Sequence, residues 1–166
     1  MGNIRASAGA CAAAAFVFSL ATSALAAGPV IFINEIDFDQ PGPVDGNEFV
    51  EIAGSAGSTL NGYTLEFMNG ATNTPYASIA LPNFTFPDFT NTGWGFFVVG
   101  HPGVTPDYTL PTPNFIQNGS PDGIRILDAL SNVVHYVTYD GSMPGETDPI
   151  PAVSYTHLTL PTILRV

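Results

Sequence analysis

The side chains with the most chemical reach in this 166-residue chain are carboxylates gathered around its first β-forming runs. Glu35, Asp37, Asp39, Asp45, Glu48 and Glu51 all fall within IFINEIDFDQPGPVDGNEFVEI, residues 31–52. A hard cation such as Ca²⁺ needs several oxygens converging from a loop. Asp37, Asp39 and Asp45 are the ligands this stretch would supply. It lacks the regular D-x-D-x-D-G spacing of a calcium loop. The competing expectation, which is preferred, is a solvated acidic hairpin end with Glu35 or Glu51 hydrogen-bonded to backbone and no resident cofactor.

Other chemistries find less. His101 and His135 are the histidines outside the two chain ends, and no cysteine accompanies them there, so a zinc site lacks ligands. No G-x-S-x-G elbow is present to hold a serine nucleophile; Ser120 or Ser142 beside a His and an Asp is what composition alone allows. No catalytic or cofactor-binding residue is expected, and the chain as given is expected to be non-enzymatic. Phe84, Phe86, Phe89, Trp94, Phe96, Phe97 and Tyr108 could form a platform for sugars or bases. Core and loop packing explains them better, because Phe predominates. Sequons at Asn83 and Asn118 mark surface turns.

The elements that must hold these groups are strands. Apolar β-formers come in short runs separated by Gly, Pro, Asn and Asp, with no sustained helical period. Strands are expected at 30–38, 48–53, 63–69, 77–81, 95–99, 123–128 and 133–139. Residues 31–52 form the organising hairpin, with a long acidic connection. In GIRILDALSNVVHYVTY, a second hairpin, Ile124, Ile126, Val134 and Tyr136 are the expected inward residues. The pairs Asp45-Gly46, Asn61-Gly62, Asn69-Gly70, Asn118-Gly119, Asp122-Gly123 and Asp140-Gly141 tolerate positive φ and are expected turns. Stretches 82–87 and 102–113 are expected loops, since repeated Pro cannot donate to a ladder.

Both ends are set apart. Arg5, an apolar stretch over 12–25 and the small-x-small site Ala24-Leu25-Ala26 make residues 1–26 an expected secretory signal peptide, cleaved to give a secreted or periplasmic product with no membrane span. Cys11 precedes the apolar core, which disfavours a lipoprotein anchor. VSYTHLTLPT, from Val153, resembles the translation of a transposase-type sequencing adapter, so residues 153–166 are expected to be a non-native tail. Its rival is a real terminal strand. Residues 27–152 then make one domain with one core.

The formal net charge is −11; without the two ends, Arg125 alone faces fourteen acids, giving −13. Such a surface repels phosphates and disfavours direct nucleic-acid binding.

INEIDFDQPGPVDGNEFVEIAG, LNGYTLEFMNG, GWGFFVVG and QNGSPDGIRILDALSNVVHYVTYDG, in that order, resemble a lamin tail domain of the bacterial secreted type. The resemblance implies an all-β, immunoglobulin-like β-sandwich, expected here to lack its last strand. It also implies an N-terminal accessory or binding module of a larger exported protein, docking to an extracellular polymer, a cell surface or an adjacent domain. No catalytic residues carry over. The alternatives are the truncated N-terminal part of an extracellular nuclease or phosphoesterase, and a standalone carbohydrate or cell-surface binder.

Overall fold

A computed structural model describes residues 30–39, 46–149 and 157–159, with Thr90, 148–149 and 157–159 described as backbone only. The expected signal peptide, Asp45 and most of the expected tail lie outside the described residues. The described residues form ten strands: β1 Ile31–Asp37, β2 Phe49–Ser55, β3 Thr64–Asn69, β4 Thr74–Ala80, β5 Trp94–Gly100, β6 Tyr108–Thr109, β7 Asp122–Leu127, β8 Val133–Tyr139, β9 Asp148–Pro149 and β10 His157–Thr159. Among the described residues helix is confined to two three-residue 3₁₀ turns, Phe89–Asn91 and Pro102–Val104. Among the described residues no helix is long and apolar enough to cross a membrane.

The strands form two five-stranded sheets, ordered β10-β1-β2-β5-β6 and β4-β3-β7-β8-β9. Pairing is antiparallel except at the two-residue strands β6 and β9, which run parallel to β5 and β8. One apolar core lies between the sheets and gives the molecule its β-sandwich-like build. Ile33, Val50, Ile52 and Val99 from one sheet meet Leu65, Phe67, Ile124, Ile126 and Val137 from the other, each almost fully buried. Burying such a side chain stabilises by roughly 1.5–3 kcal/mol relative to leaving it exposed.

Seven of the strands cover the seven expected runs. The 31–52 hairpin forms as β1 and β2, with Ile33 opposite Ile52 and Ile36 opposite Val50. Between those pairs the register shifts, so Asn34 is an extra residue, a β-bulge. That bulge explains why the buried isoleucines run 31, 33, 36 rather than in strict alternation.

A second bulge corrects the inward set of the second hairpin. Leu127 pairs with Val133 and Ile126 with His135, which leaves Val134 as the extra residue. The phase of β8 therefore moves by one. Val137 and Tyr139, not Val134 and Tyr136, join Ile124 and Ile126 in the main core. Val134 is 36% exposed, and Tyr136 is buried on the opposite face against Met68 and Met143. On that face Arg125 reaches Glu66 at 2.6 Å and stands 6.0 Å from the Tyr136 ring centroid.

One further expectation changes: the loop 102–113 contains β6. Within the stretch expected to be a non-native tail, β10 pairs to the outer edge of β1.

Candidate functional site

At one end of the sandwich, the end of β3, the start of β7 and the residues just after β1 surround an open cleft of about 700 Å³. Its floor and one wall come from the segment 114–121. Asp39, Asn69, Gln117, Asn118 and Asp122 give it polar side chains, and Ile116 and Pro121 give it apolar ones. None of the lining residues is cationic.

The segment at 114–118 follows Pro111 and Pro113 and belongs to no strand, yet part of it is buried. Its backbone groups must find partners outside any ladder. Glu48, fully buried at the entry to β2, supplies them: its Oε2 accepts the N–H of Phe115 at 2.9 Å and of Ile116 at 3.1 Å. The same oxygen lies 3.2 Å from His101 Nε2, and the His101 N–H bonds the Glu48 carbonyl at 3.0 Å.

Two tyrosines complete the clamp. Tyr76 is the extra residue of a third bulge, between the Phe67–Ala77 and Met68–Pro75 pairs. Bulges re-aim side chains, and here the Tyr76 hydroxyl donates to the Phe115 carbonyl at 3.2 Å and accepts from the Gln117 N–H at 2.9 Å. From β8, Tyr139 donates to the Gln117 carbonyl at 2.7 Å while its ring stacks on Phe38 at 4.3 Å. Burial pushes both phenols far above their ordinary value of 10.0, so both remain protonated donors.

Across the cleft, Asn69 Nδ2 donates to Gln117 Oε1 at 2.9 Å, and the Gly70 N–H donates to Asp122 Oδ1 at 2.9 Å. Asn118 Nδ2 approaches Asp39 Oδ1 at 3.5 Å. The Ser120 hydroxyl donates to the Asp140 carbonyl, next to the cis Ser120–Pro121 peptide. Desolvation raises the Asp140 carboxyl above its ordinary 3.8, and Asp39 and Asp122 raise it further, so three acids share this end of the molecule.

Glycines expected as turn residues have another role here. Gly62 and Gly141 do take positive φ, but a Cβ on Gly70 would lie 1.6 Å from the Pro121 carbonyl oxygen, and one on Gly119 would lie 2.8 Å from Asp122 Oδ2. Both positions require close approach. Asp122-Gly123 is not a turn at all; it opens β7.

Of the three acids expected at a calcium site, Asp39 lines the cleft, Asp37 is buried at the end of β1, and Asp45 lies outside the described residues. Among the described residues no group of three or more His, Cys, Asp or Glu side chains is placed to hold a metal ion. Glu51 accepts from Asn34 Nδ2 at 2.7 Å in the interior. His135 bridges the sheets by accepting the Ile33 N–H on Nδ1 at 3.1 Å, which puts the proton of its neutral ring on Nε2. The aromatic group splits: Phe86 and Phe97 are core, Phe84 packs on both, and Phe89 is 52% exposed.

Sequence reasoning missed Glu48 as the acid that captures backbone. It also missed the convergence of Asn69, Gln117, Asn118 and Asp122. The available signal was the place of Asn69, Asn118 and Asp122 in Asn-Gly and Asp-Gly pairs, which marked three of the positions without showing that they meet. No protein-family model, curated protein or solved structure matches this chain.

Proposed function

We propose that this chain is a non-catalytic, secreted module of lamin-tail-like, immunoglobulin type, acting as the N-terminal accessory domain of a larger exported bacterial protein and docking it to an extracellular polymer or cell surface. The observation that supports this most is where the resemblance segments fall. INEID lies on β1, FVEIAG on β2, TLEFMN on β3, WGFFVVG on β5, and GIRIL and VVHYVTY on β7 and β8. The best-placed reactive side chains also serve the fold. Glu48 and His101 fix a loop, and His135 ties the two sheets.

Co-sedimentation tests the proposal. The secreted chain, incubated with bacterial cells, peptidoglycan, chitin or cellulose, is expected to pellet with at least one of them. A protein that stays in the supernatant with all four would contradict docking. Sequencing the uninterrupted gene is the second arm. Further coding sequence after the sandwich is expected, and a stop directly after it would remove the modular part. A metal-dependent hydrolase domain downstream would favour the nuclease or phosphoesterase reading.

A further inference from the structure

We infer that the cleft between β3, β7 and the 114–121 segment is a saccharide subsite, built to accept hydroxyl groups of a neutral, polyhydroxylated ligand on Asp122. The inference rests on the binding-module reading above and gives it a ligand class and a location. Asp122 is only 3% exposed, and the Gly70 N–H holds its Oδ1 at 2.9 Å. Among the described residues no group bonds its Oδ2. That oxygen lies against Gly119, where a Cβ would come within 2.8 Å of it, and both residues line the cleft. A buried carboxylate at the edge of a cleft, with one oxygen fixed and the other unbonded, is a strong acceptor awaiting a donor.

The surroundings select the donor. Amides at Asn69, Gln117 and Asn118 offer N–H₂ groups and carbonyls together, which match the paired donor and acceptor character of vicinal hydroxyls. Gln117 is held by Asn69 through its side chain and by Tyr76 and Tyr139 through its backbone, so it is ordered before any ligand arrives. Ile116 and Pro121 add apolar surface for the C–H face of a sugar ring. An anionic ligand meets Asp39, Asp122 and Asp140 with no lining cation to offset them. A cation would need three or more clustered ligands, and the described residues bring no such group together.

The test is a glycan array and a titration with neutral oligosaccharides on the full secreted chain and two variants. Asp122→Asn keeps an Oδ1 acceptor for Gly70 but turns the open oxygen into a donor. Gly119→Ala places a methyl group in front of that oxygen. Wild type is expected to bind at least one neutral glycan, and each variant to weaken it about tenfold or more. Thermal unfolding of Asp122→Asn should stay close to wild type, while Gly119→Ala forces its neighbours to shift and is expected to melt lower; where one fails to fold the other decides. Absence of neutral-glycan binding, binding that both variants retain, or preference for sulfated or sialylated glycans would overturn the inference. So would a Ca²⁺-induced rise in melting temperature that Asp122→Asn abolishes, since it would assign the cleft to a cation. Pelleting with cells or polymers that both variants retain would sink the subsite and leave the docking module standing.

Discussion

Two carboxylates in this molecule do the same local job in opposite surroundings. Glu48 Oε2 accepts two backbone N–H groups, from Phe115 and Ile116, and Asp128 Oδ1 accepts two, from Leu130 and Asn132, each at 2.8 Å. Asp128 works across two and four residues at the open tip of the β7–β8 hairpin, with the Asn132 amide also bonding it. Glu48 works across 67 and 68 residues in the fully buried interior. At the tip, water can replace what the carboxylate provides. In the interior nothing can, so Glu48 carries the position of a whole segment and, with it, the floor of the cleft.

Mutation should expose that asymmetry. Glu48→Ala leaves two backbone donors and His101 without their acceptor and is expected to destabilise the fold by about 3 kcal/mol or more. The readout is a lower urea midpoint with an unchanged slope; a loss as small as that of an exposed acid would break the comparison. Tyr139→Phe keeps the stack on Phe38 but removes the bond to the Gln117 carbonyl, and should cost about 1–2 kcal/mol in the same assay.

Acid pH sharpens the contrast between groups near the surface. The Asp140 carboxyl is raised by desolvation and by Asp39 and Asp122, so the folded state holds that proton more tightly than the unfolded chain. Its charge therefore opposes folding at neutral pH, and the opposition disappears as pH falls through the raised value towards 3.8. Asp140→Asn should raise the melting temperature at neutral pH and lose that advantage in acid; a variant less stable than wild type at pH 7 would contradict this. Asp128 behaves in the opposite sense. The Asn132 side chain and the backbone of Asn132 and Leu130 hold it below 3.8, so its contribution is present above the unfolded value and lost as pH falls through the folded one. Asp128→Ala should have the smallest effect of all, confined to pH values above that window, and pH-dependent unfolding curves of the two proteins would show it.

The same contrast explains what could be seen in the sequence. Asp128 and its partners lie within one short turn, inside the stretch GIRILDALSNVVHYVTY that was expected to be a hairpin. The seven longer strands were also legible, because each carries its own run of Ile, Val and Phe. Bulges were not: Asn34, Tyr76 and Val134 are extra residues only relative to the strand beside them, and the phase of β8 followed from that. β6 and β9 are two residues long and have no period to detect. The cleft was least legible of all. Asn69 is distant in sequence from Gln117 and Asp122, and among the described residues the acids that stood out at residues 31–52 supplied only Asp39 to its lining.

Hydrogen–deuterium exchange at Phe115, Ile116 and Gln117 tests the central claim most directly, since Glu48 and Tyr76 accept those three amides. Protection comparable to that of β2 and β7, lost at Phe115 and Ile116 in Glu48→Ala under conditions where the strands remain protected, is the predicted result. Exchange of these amides in the wild type as fast as in an exposed loop would contradict a floor fixed by a buried carboxylate.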